Sequence, residues 1–287
     1  KSLDIEEFKK QLEAEWHHLK NSPNTIDESE LKRIAKFFTA MPYEKLNDQD
    51  DTYDEAIQNN KAFASWAKRS VHLHKQKGYR AITLSLKPHG LAPGDATSDQ
   101  MRIVAELAEQ YSFGELRVSH EQNLILADVK LQDIFKVWEK AKAHQLATPN
   151  IGLLTDIICC PGGDFCSLAN AKSIPIATSI QEAFDNLDYL HDIGELELNI
   201  SGCMNACGHH HIGHIGVLGV DKDGSEWYQV TIGGKQGNDA SLGSVIGPSF
   251  AAEEMPGVIK KLIDVYIKHR NPEERFIDTV RRLGVNP

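Results

Sequence analysis

The sequence predicts an α+β protein, and three observations carry that reading. The first 70 residues hold only helix-spaced apolar positions. Residues 79–145 then run strand–helix–strand–strand–helix. Beyond residue 149 short strand-like runs return, separated by glycine-rich turns that contain every cysteine of the chain. Helices gathered on one face of a mainly antiparallel sheet are the packing solution for such an order.

The elements follow in order. Residues 4–20 and 28–40 repeat apolar positions at helical spacing, and "TIDESE" (25–30) supplies capping residues for the second run. A third helix is expected at about 54–70. "YRAITLSLKP" (79–88) alternates as a strand does and stops at a proline. The turn cluster "GLAPGDATSDQ" (90–100) leads into a helix at 100–112. "GELRVSHEQNLILADV" (114–129) reads as two strands joined near His120–Asn123, and a helix at 131–145 closes the unit. A second unit starts near Pro149. It carries helical sequence within 170–190, strands at 196–200, 214–220 and 226–232, a helix at about 252–269 and a last one over 272–283, with Pro272 at its start.

Composition narrows the function classes. With 41% apolar and 25% charged residues, the 287-residue chain is ordinary globular material with room for about two cores. A net charge of −10 argues against a nucleic-acid footprint. No apolar run approaches the length of a membrane span, and the amphipathic N-terminus is no signal peptide. A cytoplasmic protein with free thiols is the expectation. The chain lacks an initiator Met, so it reads as processed or truncated.

The five cysteines, Cys159, Cys160, Cys166, Cys203 and Cys207, cluster after 158 residues without any. Buried hydrophobic thiols would not gather so tightly. Structural zinc prefers C-x2–4-C pairs on both sides, whereas "CPGGDFC" (160–166) is C-x5-C and "CMNAC" (203–207) is C-x3-C. The odd count and the expected compartment speak against disulfides. Four soft thiolates on two loops suit an iron–sulfur cluster best, and the flanking Gly162, Gly163, Gly202 and Gly208 let backbone N–H groups turn toward its negative charge. Of the adjacent pair, Cys160 is expected to be the ligand, because it directly precedes the Pro-Gly-Gly turn. Cys159, ending "LLTDII", is expected to be a core thiol.

"CPGGDFC" followed farther on by "SGCMNACGHHHIGHIGVLG" resembles the signature of the sirohaem-dependent nitrite and sulfite reductases, C-x5-C and then [ST]-G-C-x-N-x-C-G. "YRAITLSLKPHGLAPGDATSDQM" and "FGELRVSHEQNLILADV" resemble the same family's ferredoxin-like half-domain. The resemblance implies a ferredoxin-like half-domain over 66–148 and a mixed α/β domain binding the [4Fe–4S] cluster and sirohaem over 149–287. A helical segment, 1–65, would be the remnant of an upstream unit or the linker from it. It implies Cys160, Cys166, Cys203 and Cys207 as cluster ligands, with Cys207 also the axial thiolate of sirohaem and Asn205 a hydrogen-bond donor to one of the two cofactors. The implied reaction is the six-electron reduction of sulfite to sulfide or of nitrite to ammonia, with electrons from a ferredoxin or a flavoprotein subunit. The start–end echo of "KSLDIEEF" with "RRLGVNP" and the single ferredoxin-like unit suggest the C-terminal half of a duplicated enzyme, whose missing N-terminal half carries most contacts to the sirohaem carboxylates and the substrate.

Other readings stand beside this one. A haem-free iron–sulfur electron-transfer module needs only the four thiolates, and a zinc-binding structural domain is a third class. His209, His210, His211 and His214 are read as packing or supporting residues, since neighbours on a strand face opposite ways and cannot share one ion. Lys87, His89, Arg117 and His120 are read as structural or interfacial.

Overall fold

The computed structural model describes residues 4–38 and 40–285, so parts of the start–end echo, Lys1–Leu3 and Asn286–Pro287, lie outside the described residues. The chain divides into two compact units, Lys1–Glu44 and Lys45–Pro287.

In the first unit, α1 (Ile5–Leu19) begins where Asp4 accepts the N–H groups of Glu6 and Glu7, which satisfies donors that a helix start leaves open. Helix α2 (Glu28–Ala35) is capped in the same way by Asp27. It stops at Ala35, short of the expected residue 40, and Thr39 lies outside the described residues.

The second unit opens with α3 (Asp51–Asn59) and α4 (Lys61–Ser70), where the sequence suggested one helix. Asn60 breaks it. Its backbone is extended, its N–H closes α3 on Ala56, and its side chain accepts from Phe63 N–H at 3.0 Å to start α4. A four-stranded antiparallel sheet follows, in the order β1 (Val71–Leu73), β2 (Tyr79–Leu84), β4 (Leu124–Lys130), β3 (Arg117–Val118). Helix α5 (Ser98–Tyr111), started by a Thr97/Gln100 capping box, and α6 (Ile134–Ala143) join α4 over its core. Phe63 is the centre of that core, edge-on to Phe135 and Trp138 at 5.1 and 5.4 Å between centroids. Strand β2 ends at Leu84 and not at Pro88, because Ser85 N–H turns away to Leu146 O.

The second sheet is mixed, in the order β5 (Ile158–Cys159), β6 (Leu198–Ser201), β7 (Ile215–Lys222), β8 (Ser225–Ile232), β9 (Ser244–Phe250). The β5/β6 and β6/β7 pairs are parallel, and the rest are antiparallel. Helices α7 (Ile174–Ala183) and α8 (Leu187–Ile193) form the crossover from β5 to β6. With α9 (Met255–His269) and α10 (Phe276–Leu283) they supply the apolar residues that meet Leu198, Ile200, Ile215 and Val217. The final helix starts at Phe276, four residues later than Pro272 suggested. The stretch before it is a turn in which Glu274 accepts the N–H of Asn271 and the hydroxyl of Thr279.

A buried ion pair joins the two sheet regions. Lys87 Nζ meets Asp156 Oδ1 at 2.6 Å and also donates to the carbonyl of Glu121. Asn123 and the N–H of Gly152 bind the same carboxylate, so the buried charges are fully partnered.

Candidate metal centre

Parallel pairing of β5 with β6 decides the site. Cys159 lies beside Ile200, so the chain leaves both strands side by side in the same direction, and the two cysteine loops begin as neighbours. Loops at the carboxyl ends of parallel strands are where open α/β sheets place their ligands.

The loops touch at two glycines. A Cβ on Gly202 would lie 2.8 Å from Gly162 Cα and 2.6 Å from Ala171 O. One on Gly162 would lie 2.4 Å from Ser173 N, and Gly162 also has φ +60. Only glycine lets the backbones approach so closely. The N–H of Gly202 points at Cys160 Sγ, 3.1 Å away, and Ser173 Oγ sits 3.5 Å from the same sulfur. Cys160 and Cys203 are buried at this junction. Cys166 is half-buried, held by its N–H to Gly162 O at 2.9 Å, and Cys207 is exposed.

The second loop is pinned from below. The N–H of Gly208 donates to Ser201 Oγ at 3.1 Å, and a Cβ at Gly208 would overlap Ile200 O at 2.0 Å. Ala206, in the left-handed region at φ 56, turns the chain into Cys207. Asn205 is exposed on this turn. Phe165, Leu168 and Met204, 81%, 70% and 80% exposed, lie on the same two loops and leave them with solvent-facing apolar side chains.

Cys159 is a different kind of thiol. It belongs to the core under the second sheet, its Sγ donates to Cys160 O at 3.2 Å, and burial pushes its pKa well above the usual thiol range. Such a thiol resists becoming the thiolate that binds metal.

His210 and His211 lie in a 3-10 turn, His210–Ile212, with His209 just before it and His214 after it, and not in a strand. The rings of His210 and His211 therefore lie together at 3.9 Å. His210 and His214 are buried, and burial lowers both pKa values to about 4; His214 Nδ1 accepts the N–H of Glu197. Among the described residues no three His, Cys, Asp or Glu side chains gather tightly enough to hold a single metal ion. Of the basic residues singled out in the sequence, Lys87 is consumed by Asp156, and His120 lies against Glu121 and Gln236. Elsewhere, Lys140 pairs with Glu106 and Lys142 lies over the ring of Trp138. A cavity of about 400 Å³ between the sheets, lined by His72, Glu121, Asp156 and Glu197 among others, contains no cysteine.

The sequence did not mark Gln122. Its amide bonds the backbone of Cys159 twice, at 2.8 Å each way. Only the threading of β5 as an edge strand reveals it.

Two family models match this arrangement. The nitrite/sulfite reductase ferredoxin-like half domain covers residues 72–144, and the nitrite and sulphite reductase 4Fe-4S domain covers residues 153–287. The chain belongs to the nitrite and sulphite reductase family. The assimilatory ferredoxin-dependent nitrite reductase of Haloferax mediterranei is 28% identical over 254 residues, 85% of this chain and 42% of that protein. The ferredoxin–nitrite reductase of Synechococcus elongatus is 28% identical over 69% of this chain and 39% of its own length. The chain thus spans about two fifths of these relatives. It covers 84% of the assimilatory-type sulfite reductase of Nitratidesulfovibrio vulgaris, at 22% identity over 67% of this chain. Solved structures share the fold: NirA of Mycobacterium tuberculosis at TM-score 0.60 and 24% identity, over 75% of this chain and 40% of that one, and dissimilatory sulfite reductase I at 0.59 and 12%, over 93% and 87%. Among the described residues no helix is long and apolar enough to cross a membrane.

The donor set fits the cofactors of this family, a [4Fe–4S] cluster and sirohaem. Four thiols rise from two touching loops, and a backbone N–H already faces one sulfur, as an anionic cluster requires. Cys207 is exposed, and the glycine that follows it adds no side chain beside the thiol, which leaves room for a macrocycle.

Proposed function

We propose that Cys160, Cys166, Cys203 and Cys207 hold a [4Fe–4S] cluster, and that Cys207 also presents its thiolate to sirohaem in the reduction of nitrite or sulfite. The observation that carries this reading is the meeting of the two cysteine loops at Gly162 and Gly202. The ferredoxin-like module would extend over 66–148 and the cofactor-binding module over 149–287. When bound, the two cofactors supply electron storage and an iron at which an anion is reduced by six electrons, to ammonia from nitrite or to sulfide from sulfite.

The chain's own residues have separate tasks. Gly202 donates its N–H to the sulfur of Cys160, lowering the cost of negative charge there. Gly208 and Ser201 tie the turn that carries Cys207 to the end of β6. Phe165, Leu168 and Met204, exposed on the two loops, offer apolar surface for a cofactor or a partner to cover. Asn205, on the same turn, offers an amide to one of the two cofactors. A ferredoxin is the donor that the names of the relatives suggest, and a second half, on this or another chain, would complete the substrate pocket.

The test is a visible spectrum of the chain reconstituted with iron, sulfide and sirohaem, followed during titration with nitrite and with sulfite. Haem bands that respond to either anion are expected once the complementary half is supplied, with weak haem retention by the chain alone. A cluster absorbance with no haem uptake, alone or with the complementary half, would favour an electron-transfer module instead.

A further inference from the structure

Strand β5 is two residues long and lies at the edge of the second sheet, with β6 on one side only. An edge strand this short has little to fix its direction, yet Cys160 follows it immediately. Its outer side is not left open. Gln122 Nε2 donates to Cys159 O at 2.8 Å, and Cys159 N–H donates to Gln122 Oε1 at 2.8 Å. One side-chain amide thus makes both hydrogen bonds that a neighbouring strand residue would make.

Gln122 itself is held firmly. It sits in the left-handed region at φ 59, a conformation uncommon for a residue with a side chain, and its N–H closes a turn on Ser119 O. Gly94 lies against it so closely that a Cβ there would be 3.1 Å from Gln122 Cβ. The next residue, Asn123, is tied to Leu86 N–H and to Asp156. The hairpin tip between β3 and β4 is therefore a rigid mount. On the far side of the same strand, Cys160 N–H donates to Ile200 O, and its sulfur accepts from Gly202.

We propose that Gln122 is a positioning residue for the cysteine site: its amide serves as the missing outer strand against Cys159 and so sets the direction in which Cys160 presents its thiolate. The inference rests on the reading of Cys160 as a cluster ligand. It gives the ferredoxin-like module a direct part in building the metal centre of the other module.

The test uses the full chain with Gln122→Glu, which keeps the length but lacks the donor, and Gln122→Ala. In the metal-free chain, deuterium uptake by the peptide spanning 157–161 is expected to quicken about tenfold in both variants, the scale of one or two lost hydrogen bonds, while uptake in α9 is unchanged. After anaerobic reconstitution, iron loss to a chelator is expected to quicken about tenfold, with shifted EPR g values of the reduced cluster. Unchanged exchange at 157–161 would overturn the clamp. Faster exchange with unchanged iron loss and g values would overturn positioning, leaving only an edge contact. Failure of the unsubstituted chain to bind iron and sulfide would instead sink the ligand assignment, and the clamp would be judged on the exchange result alone.

Discussion

Gly202→Ala is the smallest change that pushes the two cysteine loops apart. Its Cβ would meet Ala171 O at 2.6 Å, Gly162 Cα at 2.8 Å and Ser173 Oγ at 2.9 Å. Two of these atoms are backbone and cannot rotate away, so the loops must separate by several tenths of an ångström. Overpacking of this kind costs about 1–3 kcal/mol, and the rigid neighbours place it in the upper part of that range. For a unit of this size about 2–3 kcal/mol lowers Tm by roughly 4–12 °C. The same separation moves Cys203, the next residue, relative to Cys160, so iron and sulfide retention should fall together with Tm. Gly257→Ala is the control. Nothing lies within 4 Å of its Cβ position, on α9, and helix propensity favours alanine there. Differential scanning fluorimetry and iron analysis of both variants decide the matter. A Gly202→Ala chain with unchanged Tm and full iron would show that the loops are not pressed together as described.

Three further outcomes follow from the geometry. Cys207→Ser should abolish sirohaem binding and impair the cluster, whereas Cys159→Ser should change Tm with little loss of iron, because Cys159 is packed in the core; equal iron loss in both would reverse the assignment of the adjacent pair. Lys87→Met leaves Asp156 buried without its cation and should cost about 3–5 kcal/mol in urea unfolding; a loss under 1 kcal/mol would mean the pair is dispensable. Burial holds the pKa of His214 at about 4, below the unfolded value of about 6.5, so between these pH values the unfolded chain binds the extra proton. Stability from this residue is therefore complete above pH 6.5 and lost as pH falls toward 4, on the order of 3 kcal/mol. His214→Gln should flatten that slope in pH-dependent unfolding, and an unchanged slope would place the titration elsewhere.

The elements with strong periodicity were legible in the sequence: α1, α5, α6, α9 and the alternating strands β2, β7 and β8. Strands β1 and β5, three and two residues long, carry too little pattern to be read, and β9 is interrupted by Gly247 and Pro248. Those short strands matter most here, since β5 is what aligns Cys160 with the second loop. The cysteine spacing and flanking glycines pointed to the site, but the contact between Gly162 and Gly202 depends on parallel pairing, which no local pattern encodes. Asn60 looked like one more polar residue in a helix, and only its extended backbone shows that it divides two. His210 and His214 are buried, as packing residues would be, but strand alternation is not the reason, since His210 and His211 sit in a 3-10 turn. Gln122 is one polar residue in a hairpin tip, and its role depends on a partner 37 positions away.

The most direct measurement of the central claim is the iron and acid-labile sulfide content of the anaerobically reconstituted chain, with the EPR spectrum of its reduced form. The account predicts four iron and four sulfide per chain, as the 4Fe-4S domain implies, and loss of the cluster signal in Cys203→Ser. One zinc per chain with no sulfide, or a full cluster in Cys203→Ser, would contradict it.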